Sequence, residues 1–303
     1  MHWDSMTVDE FAEYRRGEGM KLEKIDGIWW AEVRPFFFRP LFPFRKIKPW
    51  SKRYPPKAFL GGFMHVAPPS DETRSCLNFH VYDNLQNYST DMLSSKRRKV
   101  LRHCNKIFSV KTIPDPEEFV STAYPVYKIF YERTNYWYQN ERILKENFTT
   151  WANNLYSYPK ISKNGIYLGN KLSAVETSFR IEDVIFGDNL FADDASLNLD
   201  VIDFIVHTVR ESAADTDAGY FFSSLPTGVT TLDSSKRKRG CKLLSLPAYC
   251  KINPVALYFA KLFMKDSYHK LMTVTAQEVP EALPDCATDT TQGTGDQGNA
   301  TFV

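Results

Sequence analysis

The stretch Lys236-Arg237-Lys238-Arg239-Gly240 sets four cations in succession. Guanidinium groups grip phosphate oxygens two at a time and a lysine acts as a point charge, so the run suits an anionic ligand; a solvated loop or an import signal would read the same way. A second basic set, Lys96, Arg97, Lys99, Arg102 and Lys106, shares one face of a helical pattern whose other face carries Leu93, Val100, Leu101 and Cys104. Paired, the two sets would make a groove for RNA or another polyanion; singly, each is an ordinary exposed face. Arg34, just after Trp29-Trp30 and before Pro35, is a candidate anion clamp. Trp30, Tyr136 and Trp137 could wall a substrate slot, although aromatics at this density also build cores.

Nucleophile and metal chemistry find less support. The five cysteines, Cys76, Cys104, Cys241, Cys250 and Cys286, are odd in number and widely spaced, with no C-x-x-C or H-x-x-x-H pattern, so reduced thiols and no structural zinc are expected. His207 sits between Val206 and Val209 in an apolar helical run and reads as packing or surface.

Such residues need a folded scaffold, and the chain can supply one. Its 303 residues are 43% hydrophobic and 24% charged, which excludes wholesale disorder, collagen and coiled coil. Aromatics reach 15%. The nominal charge of +2 hides an asymmetry: residues 273–303 carry Glu278, Glu281, Asp285, Asp289 and Asp296 with no Lys or Arg, and setting those five acids aside leaves 38 basic against 31 acidic residues, or +7. A body of that sign favours anionic partners. No run approaches the roughly 20 apolar residues of a membrane span, and Met1-His2-Trp3-Asp4 lacks the basic and apolar regions of a signal peptide, so the expected compartment is the cytoplasm.

The periodicity predicts a short helix over 6–16, strands at 28–38, 58–66 and 76–82, a basic helix over 91–106 and a strand at 108–113 running into Pro114 and Pro116. A boundary is placed there. Two helices follow, from Glu117 and over 142–155, then strands at 165–169, 172–181 and 184–192 with separators short enough for hairpins. A helix over 199–213, a strand at 220–223, a helix near 228–238, strands at 243–246 and 249–252, and a helix from Pro254 complete the order. The last residues, poor in apolar content, cannot offset the entropy of ordering and are expected to be a disordered acidic tail. This is an α+β order with an antiparallel core.

The order, and the wording of LSSKRRKVLRHCNK, EEFVSTAYPVYKIFYERTNY, NGIYLGNKLSAVETSFRIEDVIFGDNLFADD, LDVIDFIVHTVRESA and SSKRKRGCKLLSLPAYCKI, resemble the GNAT-like acyltransferases, in the branch of FemAB-type aminoacyltransferases and acetyltransferase-like proteins. The likeness spans roughly residues 25–255 and lies in pattern, not in any single motif. It implies a mixed, largely antiparallel sheet flanked by helices, in two GNAT-like halves: an abbreviated one over 1–113 and a fuller one over 114–272, before the tail at 273–303. It also implies transfer of an acyl or aminoacyl group to an amine or hydroxyl of a small molecule or peptide by direct attack, with no tightly bound cofactor. The donor would be acyl-CoA or aminoacyl-tRNA. A silent module that binds RNA is the rival reading.

On this resemblance Glu176, Asp188 and Tyr249 are the acid/base candidates, Ala192, Ser196, Asn198, Lys236 and Arg237 flank the donor, and Trp30, Arg34, Tyr136 and Trp137 flank the acceptor. One departure matters. Where CoA-using members carry a Gly-rich turn for the pyrophosphate, this chain has Asp193-Asp194-Ala195-Ser196-Leu197-Asn198. Two carboxylates suit a helix start but repel a pyrophosphate, which puts CoA in doubt as donor.

Overall fold

The computed structural model describes residues 3–70, 75–134 and 140–275; Tyr136, Trp137 and residues 276–303 of the expected tail lie outside them. In chain order the elements are β1 (Ser5–Met6), α1 (Val8–Gly17), β2 (Leu22–Ile25), β3 (Ile28–Arg34), β4 (Phe37–Pro40), β5 (Gly62–Val66), β6 (Ser75–Asp83), α2 (Ser95–Ile107), β7 (Phe108–Thr112), α3 (Pro116–Thr134) and α4 (Lys145–Tyr156). There follow β8 (Ser162–Leu168), β9 (Lys171–Ile181), β10 (Val184–Ala192), α5 (Asp194–Leu197), α6 (Val201–Ala213), β11 (Tyr220–Ser224), α7 (Thr230–Lys238), β12 (Lys242–Ile252), α8 (Pro254–Phe263) and α9 (Lys265–Thr275).

One mostly antiparallel sheet runs β2-β3-β4-β5-β12-β6-β11-β10-β9-β8-β7, with β1 beside β9. It is continuous across residues 113 and 114, because β6 from before that point lies between β12 and β11 from after it. Phe11, Phe119, Phe148 and Trp151 of α1, α3 and α4 pack with Phe179 and Phe186 in the largest core, while Cys104, Phe204, Ile205 and Val209 of α2 and α6 pack with Ile185, Leu190 and Phe221 in the second. Strand alternation assigns the two cores to opposite faces of β9 and β10.

Local chemistry explains where the expected elements shift. The run over 28–38 is a hairpin, not one strand, since Phe36 takes a left-handed φ of 61° directly after Pro35. The strand expected from Ala58 begins at Gly62, after a single 3-10 turn over Pro56–Phe59. Conversely, the two strands expected around Pro247 are the single β12. Its residues Lys242–Ala248 pair with β6 and Ala248–Ile252 with β5. The Pro247 carbonyl accepts from the Ala67 N–H, so the missing proline donor falls on the side where β5 has just ended. The helix expected from Leu199 begins at Val201 as α6, and an unexpected short helix, α5, capped by Asp193, precedes it. At the N-terminus a capping box between Thr7 and Glu10 starts α1, which delivers Tyr14 and Arg15 to the sheet.

Candidate functional site

The parallel strands β10 and β11 pair over only three positions, Val184–Phe186 against Tyr220–Phe222. Beyond the last pair, where the Phe186 and Phe222 rings meet edge-on at 5.3 Å, β10 continues to Ala192 with β9 as its ladder partner, and β11 ends at Ser224 against β6. Both arms break register just past the crotch: Asp188 is an extra residue between Gly187 and Asn189 in the pairing with β9, and Ser223 is one in the pairing with β6. A bulge bends its strand and withdraws main-chain groups from the ladder; at the β10 bulge the Asn189 N–H is taken by Thr177 Oγ1 at 3.1 Å, and Asp188, Asn189, Ser223 and Ser224 are buried.

The expected acid/base residues lie in three different places. Asp188 turns toward α1, where it accepts from the Tyr14 hydroxyl at 2.8 Å and Arg15 Nη2 at 2.5 Å. Arg15 also holds Glu18, and Glu18 accepts from Arg142, whose guanidinium touches Asn189 and lies 4.2 Å from the Trp151 ring centre. The side chains of this network are buried. Burial pushes the Asp188 carboxyl up against the pull of Arg15, whereas for Glu18 Arg15 and Arg142 outweigh burial and hold it low. Glu176 sits on the opposite face, paired across with Leu190 and accepting from Asn164 Nδ2 at 2.8 Å. Burial lifts it to about 7 against the pull of Ser178 and Asn164. Tyr249 is on β12, with β6 and β11 between it and β10, in a ring cluster with Trp50, Phe63 and His65. Wholly buried Trp30 belongs to the same aromatic region, beside Tyr54, Phe63 and His65.

Cations gather on the β11 arm. Lys236 is buried and its Nζ donates to Ser224 Oγ at 2.5 Å; burial brings it down to about 8. Asp233, one turn earlier on α7, lies 3.7 Å from His80 Nδ1 and accepts from the Thr227 and Gly228 N–H groups. Burial and Lys236 press the His80 imidazole down to about 4, more than Asp233 can restore. Lys270 of α9 completes the group: burial lowers it to about 8, and Arg39, Arg34 and Lys236 push the same way. Arg34 in turn donates through Nε to Ser267 of α9. Thus Arg34 and Lys236, both expected from the sequence, act on one lysine that the sequence did not single out. Neither His80 nor Lys270 carried a signal, because only the docking of α9 on β6 brings them near the run. Arg237 adds to the field at His80.

The two basic features also meet elsewhere. Arg97 of α2 and Arg239 of the late run both bind buried Asp203, at 2.6 and 2.9 Å. Arg210 lies beside them, its guanidinium 3.9 Å from the Tyr88 ring centre. Lys96, Lys99, Arg102 and Lys106 remain exposed.

At the end of β10 the turn closes on itself. Asp193 accepts from the Ser196 N–H at 2.8 Å and from Lys171 at 2.9 Å; burial would raise it, but these bonds hold it low. The hydroxyl of Ser196 is spent on the Ser173 and Asp193 carbonyls. Arg133 binds the Ala192 carbonyl and the Asp194 carboxylate, and the Asn198 N–H goes to the Asp194 carbonyl. The Ser196 N–H, a helix-start donor that could have met a phosphate, is therefore occupied by the chain's own Asp193 carboxylate. Among the cysteines, burial pushes the thiols of Cys104 and Cys250 to about 11 and that of Cys241 to about 12, far from thiolate chemistry.

No protein-family model and no curated protein sequence matches the chain. Solved structures do. L-PGS from Bacillus licheniformis aligns with a TM-score of 0.56 at 10% identity over 88% of this chain and 98% of its own. A C-terminal domain assigned to a lysylphosphatidylglycerol synthetase of Agrobacterium fabrum gives 0.55 at 8% identity, covering 90% and 94%. FemX gives 0.54 at 10% identity, covering 84% and 93%.

Proposed function

Starting from a fold that is GNAT-like and of the FemAB-like branch, we propose that this chain is a transferase that moves an aminoacyl or acyl group to an amine or hydroxyl acceptor. The observation that carries the reading is the fork, in which β10 and β11 part after Phe186 and Phe222 while each arm bulges at the next residue or two. Preorganised main-chain donors aimed at a carbonyl oxygen stabilise the charge that develops when a nucleophile attacks, and they do so without a covalent enzyme intermediate. Lys236 and Lys270 supply positive potential on the β11 arm for an anionic part of donor or acceptor. Glu176, one strand from the fork and lifted to about 7, is the carboxyl best matched to exchange a proton at neutral pH. Asp188 is engaged by Arg15 and Tyr14, so its part is to hold the bulge.

Of the two donor classes, the turn after β10 favours an aminoacyl ester on RNA over acyl-CoA, because Asp193 already takes the N–H that a pyrophosphate would need. The exposed basic face of α2 supports the same choice, and also the rival reading of an RNA-binding module without catalysis. Calorimetric titration of the full chain with acetyl-CoA, desulfo-CoA and a charged tRNA pool tests the donor assignment. Saturable, salt-dependent binding of charged tRNA with none of CoA is expected; tight CoA binding with no tRNA binding would reverse it.

A further inference from the structure

Helix α8 is built the wrong way round for a helix that serves a core. Val255, Tyr258, Phe259, Leu262 and Phe263 recur at i, i+3, i+4, i+7 and i+8, a spacing that normally marks the buried stripe. Here the stripe faces outward: Val255 is 63% exposed, Tyr258 61% and Phe263 76%, and no residue of the helix is buried. The apolar surface continues onto Trp50, Phe59 and Leu60, all exposed. Asn253, the cap of α8, fixes that continuity by binding the Gly61 and Phe59 carbonyls, and Lys251 Nζ stands 4.6 Å from the Trp50 ring centre.

The chain segments that form this patch carry charge of one sign, with Asp26, bound to Arg53, and Asp266 as the acids beside them. The two segments that form it, 45–60 and 251–265, hold nine Lys and Arg and no Asp or Glu. Arg45 and Arg53 reach acids elsewhere, Glu182 and Asp26. The lysines at 46, 48, 52, 57, 251, 261 and 265 form no ion pair among the described residues. Contiguous exposed apolar surface of this extent marks an interaction site. A second copy docked face to face would set these lysines against themselves, since a twofold interface meets its own patch. An anionic bilayer offers what both parts need: acyl chains for the aromatic stripe and phosphate headgroups for the lysine rim.

We infer that α8 and the 50–60 loop form a membrane-surface docking face, by which the chain lies on anionic lipid without spanning it. No helix of the described residues is long and apolar enough to cross a bilayer. The inference stands apart from the fork and from the transfer chemistry.

Flotation of the full chain with vesicles of phosphatidylcholine alone, or of equal parts phosphatidylcholine and phosphatidylglycerol, tests it. Expected is binding to the anionic vesicles that weakens with salt, and a loss of roughly tenfold or more in the Phe259→Ser/Phe263→Ser variant. Both positions are exposed, so the variant should keep its far-ultraviolet circular dichroism; Lys261→Glu/Lys265→Glu, which leaves the apolar stripe untouched, should weaken binding as well. A full chain that stays unbound overturns the proposal. If light scattering then shows a dimer that the Phe pair dissolves, the face belongs to a second copy; if Lys261 crosslinks to acids of residues 276–303, it belongs to the chain's own C-terminal stretch.

Discussion

Asp188, the residue bulged from β10 at the fork, is held at 2.5 Å by Arg15 of α1, so the first helix of the chain secures the strand that shapes the site. Both groups are buried, and removing one partner strands the other charge. Arg15→Met is therefore expected to cost about 3–5 kcal/mol in urea unfolding. Arg15→Met/Asp188→Asn should recover part of that loss, and a single variant within about 1 kcal/mol of wild type would show the pair to be incidental.

Glu176 gives stability a pH dependence of known sign. Its folded carboxyl sits at about 7 against an ordinary 4.5, so its contribution is intact below 4.5 and is lost as pH rises through 7. The difference in unfolding free energy between wild type and Glu176→Gln should fall by about 3 kcal/mol between those limits. His80 works the other way, since an imidazole held at about 4 loses stability as pH falls from 6.5, which is why the comparison with the Gln variant is needed. A difference that stays flat from pH 4.5 to 8 would contradict the burial of a protonated Glu176.

Lys236 and His80 titrate as neighbours. Removing the ammonium in Lys236→Met takes away one of the cations that press His80 down, so the imidazole resonances of His80 should titrate at a higher pH than the wild-type value of about 4. An unchanged midpoint would place Lys236 too far away to share an anion site with it.

Asp193 caps α5 with its own carboxylate. Asp193→Ala should lower stability by about 1 kcal/mol, read from the urea midpoint at constant m-value. Acetyl-CoA binding is expected to stay absent in that variant, because Asp194 and the occupied Ser196 hydroxyl remain. Strong CoA binding would mean that the cap alone excluded the nucleotide.

Much of the architecture was legible because periodicity and turn chemistry agreed: the strands at 172–181 and 184–192 fall where β9 and β10 lie, and the separator Glu182-Asp183 makes the expected hairpin, whereas the turn expected at Asn170-Lys171 is Gly169-Asn170, because Lys171 already pairs with Leu168. Pro247 misled, because whether a proline breaks a strand depends on which partner faces it. The site was less legible. Glu176 and Asp188 stand on adjacent strands but on opposite faces: counted from the Glu182-Asp183 turn, Asp188 alternates with Phe186 and faces α1, and the bulge turns Leu190, two residues on, to the face of Glu176. The cluster of Lys236, His80 and Lys270 joins α7, β6 and α9, and the outward stripe of α8 looks identical to a buried one until the fold shows what it faces.

Single-turnover transfer tests the central claim most directly. The full chain, mixed with a radiolabelled aminoacyl-tRNA pool and a mixture of small amine and hydroxyl acceptors that includes phosphatidylglycerol vesicles, is predicted to move label from RNA to an acceptor, with the rate falling at least tenfold in Lys236→Met. Label that stays on the tRNA at every acceptor, while the RNA binds equally well to wild type and variant, would contradict a transferase and leave a fork that does no chemistry.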